Sequence, residues 1–145
     1  MSDYQIMEDA ANSIMEIYEI DMPPVPIETI LQKPRNNMWD EMDVTQLSGS
    51  FLSLKHRYSP RMSLTRMLAR HVIFSQWGKE HGLHDIVTKD GDTEEWLRTF
   101  ARMLVMPSIF LQDLTSSERN PSAMSLRFEV PDTDAQKRLE ELANS

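Results

Sequence analysis

The strongest structural signal in the sequence is an amphipathic helical pattern between Asp92 and Pro107. Asp92 and Glu95 form a capping pattern at its start, and Pro107 cannot continue a helix. Apolar residues recur between these limits at intervals of three and four positions, namely Leu97, Phe100, Ala101, Leu104 and Val105. The segment therefore predicts a helix over 92–106 with one face in a hydrophobic core.

Five further helices are predicted from apolar spacing, capping residues and chain breaks. Ser2 with Gln5 forms a capping pattern before the first of them, and Pro60, at a first-turn position, begins the longest. Gly78 is expected to end that long helix and to open a loop that extends through Gly91. The predicted spans are 3–18, 27–32, 60–77, 122–128 and 132–142.

Two segments between the second and third predicted helices suggest strands. Residues 47–54 combine apolar content with flanking turn residues, and Gly49 marks a bulge or a close approach of the backbone. A second strand is expected within residues 34–46. Together these segments predict an α+β fold, predominantly helical, with a small antiparallel sheet of two or three strands packed on the helices.

Length and cysteine content limit the organisation of the chain. A chain of 145 residues is long enough for one domain with one core, so we expect a single domain over 1–145. Within it we separate a core over 1–114 from a C-terminal helical segment over 122–145. There is no cysteine, which excludes disulfides, thiolate metal sites and a cysteine nucleophile.

The charge and the apolar runs exclude some locations and partners. The formal net charge of −8 disfavours binding to a phosphate backbone, so no direct nucleic-acid partner is expected. No apolar run is long enough to span a bilayer, and residues 1–8 are polar and acidic where a secretory signal would be basic and then apolar. We therefore expect a soluble, cytoplasmic protein with no membrane partner.

One stretch departs from the acidic character of the chain. Residues 55–70 contain five basic residues and no acidic one: Lys55, Arg57, Arg61, Arg66 and Arg70. Such a run is typical of a solvated helix face or of salt-bridge partners for acidic segments elsewhere. A binding surface for an anion or for a protein partner is the alternative interpretation.

Two segments together resemble the ImmA/IrrE family of zinc metallopeptidases. In that family one helix carries the run Arg-Phe-Thr-x-Ala-His-Glu-x-x-His, and a later helix carries a Glu followed by Phe-Ala-x-x-Leu-Leu-Met-Pro. Residues 100–107 of this chain match the second run, with Val105 in place of Leu. Residues 23–30 and 126–130 are similar to the opening and closing segments of the family. The resemblance covers most of the chain and implies a zincin-like domain.

The first run departs from the family pattern at its functional positions. Arg66 and Arg70 stand where the family has its two histidine ligands, and Met67 stands where it has the catalytic Glu. A guanidinium stays protonated and offers no lone pair to zinc, and a thioether cannot accept a proton from water. We therefore expect no catalytic residue and no cofactor, although the resemblance still places Glu94 at the position of the third zinc ligand.

Glu94 leads to a hypothesis about what replaces the metal. On a helix it lies nearly in line with the apolar stripe, and a carboxylate pointing that way requires a cation. Arg66 and Arg70, one turn apart on the facing helix, could form an Arg66–Glu94–Arg70 ion cluster in place of zinc. The alternative is an exposed pair between Glu94 and Arg98 on the same helix, which contributes only a few tenths of a kcal/mol.

A metal site built from other residues is a second possibility. His71, His81 and His84 remain available with Glu94, and the spacing of His81 and His84 suits a helix. Gly82 between them argues against a rigid turn. No Gly-rich phosphate loop and no G-x-S-x-G sequence is present, so no other catalytic template is indicated.

These observations favour a non-catalytic pseudo-metallopeptidase that binds a protein partner or regulates one. The resemblance implies a helix-turn-helix transcription regulator as that partner, in a phage-related or stress-response setting. Two alternatives stay open. One is a zinc-dependent endopeptidase with relocated ligands, and the other is an accessory or structural subunit of an oligomer.

Overall fold

A computed structural model of the protein describes residues 2–40 and 59–144, and its regular structure there is helical. The elements follow one another along the chain with short connections. They are α1 (Asp3–Ile17), α2 (Ile27–Gln32), α3 (Pro60–Phe74), α4 (Gln76–Glu80), α5 (Leu83–Lys89), α6 (Thr93–Val105), α7 (Ser108–Leu111), a 3-10 turn (Ser116–Glu118), α8 (Pro121–Phe128) and α9 (Asp132–Asn144).

The predicted α+β fold with a small antiparallel sheet is wrong, because residues 2–40 and 59–144 contain no strand. The strand predicted over 47–54 lies outside the described residues, and so do residues 41–46 of the segment expected to contain the second strand. The described part of that second segment forms a turn, in which the Met38 N–H donates to the Arg35 carbonyl over 3.1 Å. Asn37 has a φ of 66° there, a left-handed conformation that a strand cannot contain.

Buried apolar side chains of several helices form one cluster, to which residues from 7 to 135 contribute. Two helices make its largest interface: α3 packs along α6, and α1 lies against α6 as well. The stripe predicted on α6 is confirmed, since Leu97, Phe100, Ala101, Leu104 and Val105 are all buried. Met124, Phe128 and Ala135 join the same cluster, so α8 and α9 share the core.

The first helix and its cap agree with the sequence. The Ser2 hydroxyl accepts a hydrogen bond from the Gln5 N–H over 3.1 Å, which fixes the start of α1 at Asp3. The second capping pattern is wrong in detail. Asp92 precedes α6, but its side chain accepts no hydrogen bond from the backbone N–H groups of the first turn of that helix. A capping side chain needs an extended backbone at its own residue, and the ψ of Asp92 is 42°.

The long helix predicted over 60–77 is two helices. Ser75 has an extended ψ of 166°, its hydroxyl donates to the Val72 carbonyl over 2.6 Å, and the same oxygen accepts from the Gly78 N–H over 3.0 Å. One side chain thus ends α3 and caps α4. Gly78 lies inside α4 instead of opening a loop, and the predicted loop contains α5 (Leu83–Lys89).

Two buried ion pairs attach the C-terminal helix to the rest of the core. The Arg138 guanidinium donates to both carboxylate oxygens of Glu8, over 2.7 and 2.6 Å, and to the Met106 carbonyl over 3.0 Å. The Arg102 guanidinium donates to both oxygens of Glu141, over 3.1 and 2.7 Å. Burial lowers the pKa of Arg102, but the hydrogen bonds and the charge of Glu141 outweigh that effect and the pKa is raised.

Candidate functional site

The positions that correspond to the family motif lie on α3 and at the start of α6, which face each other. Arg70 Nη2 and Glu94 Oε1 are 2.6 Å apart, so the structure brings these two residues together. The side chains are 50% and 66% exposed, respectively. A pair this exposed contributes about 0–1 kcal/mol to stability, and it does not form the buried cluster that was proposed to replace zinc.

Arg66 and Met67 lie one turn before Arg70 and have different surroundings. Arg66 Nη2 donates to the Ser63 hydroxyl of the same helix over 3.2 Å, and its charge acts on Asp134 of α9. Burial raises the pKa of Asp134, and the guanidinium groups of Arg102 and Arg66 oppose that rise. Met67 is partly buried against the hydrophobic core. It thus has a packing role at the position that the family gives to its general base.

The alternative pairing for Glu94 also differs from the sequence hypothesis. Arg98 pairs with Glu95 over 3.5 Å, at a spacing of three residues, and Glu94 is the partner of Arg70 on the facing helix. Both pairs are at the surface. Neither pair therefore places a buried charge between α3 and α6.

The three described histidines make separate local contacts. His71 Nδ1 lies 2.8 Å from the Met67 carbonyl, and His81 Nδ1 lies 2.8 Å from the Trp77 carbonyl. Because a carbonyl only accepts, both Nδ1 atoms carry the proton in these bonds. The His81 ring stacks on Trp77 with centroids 3.8 Å apart, and the rings of His84 and Phe74 are nearly perpendicular with centroids 5.3 Å apart. Each ring is therefore positioned by its own neighbours.

These contacts do not assemble the alternative metal site. Across residues 2–40 and 59–144, no group of three or more His, Asp or Glu side chains is arranged to hold a metal ion. The residues proposed as ligands of that site are His71, His81, His84 and Glu94. Glu94 pairs with Arg70, and the histidines occupy α3, the end of α4 and α5. The described chain therefore gives the relocated-ligand hypothesis no support.

A groove lies beside the motif helix. Its volume is about 620 Å³, and we call it the α3 groove. It is lined by Met38, Trp39, Asp40, Arg70, His71, Phe74 and Ser75. The wall combines apolar and aromatic surface with a guanidinium, an imidazole and a carboxylate, which is the mixture found at protein-binding sites.

Hydrogen bonds hold the two sides of the α3 groove in place. The Trp39 indole N–H donates to the Leu31 carbonyl over 2.9 Å, and the Trp77 N–H donates to the Asn37 carbonyl over 2.7 Å. Residues 37–40 are thereby fixed against α2 and α4. Phe74, the last residue of α3, is 38% exposed at the mouth of the groove, so a large aromatic side chain is available to a partner.

The buried ion pairs were missed in the sequence. Arg138 falls on the apolar stripe of α9, in line with Ala135 and Leu142, and an arginine in such a position is a signal of a buried charge. Glu8 lies in the acidic N-terminal segment and gives no such signal, yet it is only 7% exposed. Its partner is 130 residues further along the chain, so no spacing rule joins the two.

No model of a protein family matches this chain, and no curated protein or solved structure shows significant similarity to it. The resemblance to the ImmA/IrrE family therefore stays a prediction drawn from the motif residues. Within the described ranges, the structure has no helix that is both long and apolar enough to cross a membrane.

Proposed function

We propose that the protein is a non-catalytic pseudo-metallopeptidase that binds a protein partner through the α3 groove. The observation that carries the proposal is the composition of that groove: an exposed phenylalanine, a tryptophan and a methionine are grouped with Arg70 and His71. A rigid aromatic surface with a few polar groups at its edge is typical of the centre of a binding interface.

The chemistry of the motif positions supports binding over catalysis. Arg66 and Arg70 offer no lone pair to a metal, and Met67 cannot act as a general base. The residues instead give the helix two cationic groups and an apolar one. A partner segment that places an apolar side chain against Phe74 and a carboxylate near Arg70 would match this surface.

The proposed partner is a helix-turn-helix regulator, which is what the resemblance implies. Such a partner would carry the nucleic-acid contacts that the net charge of −8 disfavours in this chain. The chain would then regulate transcription by holding the regulator.

The variant Phe74→Glu tests this proposal. It places a charge at the mouth of the α3 groove, and we expect it to weaken binding of the regulator at least about tenfold, because a carboxylate there opposes burial of the partner's apolar side chain. The measurement is isothermal titration calorimetry of the two purified proteins.

Leu126→Glu is the matched control. Leu126 is 83% exposed, and its helix α8 contacts the opposite end of α3, where Arg61 Nε donates to the Phe128 carbonyl. The same change in charge and polarity is made there without altering the groove. Equal affinities for the Phe74→Glu variant and the unchanged protein would show that the partner does not bind in the α3 groove.

A further inference from the structure

A second cavity lies between the starts of α1 and α6 and the middle of α9, and both α1 and α9 pack against α6. Its volume is about 350 Å³, within the range of roughly 300–1,000 Å³ that small-molecule sites occupy. The wall contains Tyr4 and Trp96 together with five carboxylates and two cationic side chains. It shares no residue with the α3 groove, so the cavity is a separate site.

Two aromatic rings form an angled part of this wall. The ring centroids of Tyr4 and Trp96 are 5.5 Å apart, and the ring planes are tilted by 54°. Both residues are only partly buried, so a ligand in the cavity can reach them. A cation is attracted to the face of an aromatic ring when it lies within about 6 Å of the ring centroid. At the observed spacing, one cationic group can lie within that distance of both rings.

The polar part of the wall favours a positively charged ligand. Five carboxylates and two cationic groups give it a net charge of −3. Arg102 and Glu141 neutralise each other in their buried pair. The wall then has one positive group, Lys137, and four exposed carboxylates, which belong to Asp90, Asp92, Glu95 and Glu140. A cleft in which one sign of charge predominates concentrates ions of the opposite sign.

The four exposed carboxylates are spread over the wall. Three of them come from residues 90–95, before and at the start of α6, and the fourth is Glu140 of α9. In the part of the chain that the structure describes, no three such groups converge on a point where they could hold a metal ion. A ligand with several ammonium groups joined by methylene segments can reach carboxylates from both helices. Its methylenes can lie along the aromatic rings, as the stems of lysine side chains do on apolar surface.

We propose that this cavity binds a free aliphatic polyamine. One ammonium group lies beside Glu95 and Trp96, and a second lies beside Glu140 of α9. The methylenes between them cover the rings of Tyr4 and Trp96. Lys137 opposes binding, and the carboxylates outweigh it. The site goes beyond the proposed protein-binding function and does not depend on it, because the two sites share no residue.

Isothermal titration calorimetry of the full chain with spermidine tests the site. A salt concentration of about 0.15 M limits the Debye length to about 8 Å and so suppresses general attraction of cations to an acidic protein. We expect saturable binding of one spermidine per chain. Butylamine, which has a single ammonium group, should bind at least about tenfold more weakly.

Variants that change one charge locate the site. Glu95→Gln and Glu140→Gln should each weaken spermidine binding about two- to fivefold, the effect of losing one exposed charge pair. Lys137→Gln should strengthen it by a similar factor. Glu94→Gln is the matched control, because it makes the same change in net charge one residue away. The Glu94 side chain pairs with Arg70 of α3 and does not line the cavity, so this variant should leave the affinity unchanged.

Three results would overturn the proposal. The first is the absence of saturable binding up to about 10 mM spermidine. The second is an equal loss of affinity in Glu94→Gln and Glu95→Gln, which would show general attraction to the acidic protein. The third is unchanged affinity in Trp96→Leu, which removes one aromatic ring. If circular dichroism shows that Trp96→Leu does not fold, Tyr4→Leu replaces it, and unchanged affinity there would equally contradict the site.

Discussion

Arg138→Ala is expected to lower the free energy of unfolding by about 3–5 kcal/mol, which is among the largest effects of any single change in this chain. Arg138 has no exposed surface, and its guanidinium is bonded to both oxygens of Glu8 and to the Met106 carbonyl. Removing the guanidinium leaves a buried carboxylate without its cation and a carbonyl without its donor. Urea unfolding followed by circular dichroism measures the change.

A double variant separates the loss of charge pairing from the loss of packing. Replacing both partners, as in Glu8→Leu with Arg138→Met, removes the ion pair without leaving a charge unpaired, so it should cost less than Arg138→Ala alone. Arg127→Ala is the surface control, because the Arg127 side chain is half exposed and its Nη1 lies 4.0 Å from Glu118 Oε2. This variant should change the free energy of unfolding by less than about 0.5 kcal/mol. A loss of under about 1 kcal/mol in Arg138→Ala would contradict the buried pair.

Gly78→Ala is the second change with a large expected effect. A Cβ atom at this position would lie 2.1 Å from the Val72 carbonyl oxygen and 2.5 Å from that of Ile73. Both obstacles are backbone atoms at the end of α3, so no side chain can rotate away. Alanine favours a helix by about 1 kcal/mol over glycine, but the clash outweighs this preference. We expect a net loss of about 3 kcal/mol or more in urea unfolding.

Gly91→Ala is the control that separates two reasons why alanine can be unfavourable at a glycine position: a steric clash of the Cβ atom, and a backbone conformation that favours glycine. Gly91 has a φ of +78°, and nothing described lies within 4 Å of where its Cβ would be. Alanine there has only the cost of the left-handed conformation, about 1–2 kcal/mol. If Gly78→Ala is no more destabilising than Gly91→Ala, the close approach of α4 to the end of α3 is not as the structure shows it.

The elements that the sequence predicted well are those defined by local spacing. The stripe between Leu97 and Val105 places α6 within one residue of its observed limits, and the cap at Ser2 places the start of α1. These features depend on residues within a turn or two of each other, which is the range over which periodicity and capping act.

The predictions that failed depended on contacts that local spacing does not contain. The long predicted helix is divided because the Ser75 hydroxyl donates to the Val72 carbonyl and accepts from the Gly78 N–H. Glycine is needed at position 78 because the backbone at the end of α3 lies where a Cβ atom would be. The sheet was predicted from the composition of segments whose described part is a turn. Short apolar runs do not by themselves distinguish a strand from other buried structure.

At the candidate site, too, the sequence predicts what depends on the residues themselves and does not predict what depends on tertiary contacts. The sequence supports the expectation that Arg66 and Arg70 do not bind zinc and that Met67 does not act as a general base, because the chemistry of these side chains is independent of the fold. It did not indicate the α3 groove, since Met38 and Trp39 reach Phe74 only through tertiary structure. Nor did it indicate that the rings of Tyr4 and Trp96 meet in one cavity, because the two residues lie on different helices.

Native mass spectrometry of the full chain mixed with the proposed helix-turn-helix regulator and excess zinc is the decisive test of the pseudo-metallopeptidase proposal, because one spectrum reports both binding and cleavage. We expect a complex of the two intact chains and an unchanged mass for the regulator after prolonged incubation. Fragments of the regulator would show that the chain is a peptidase. Two intact proteins that form no complex would show that the α3 groove does not bind this partner.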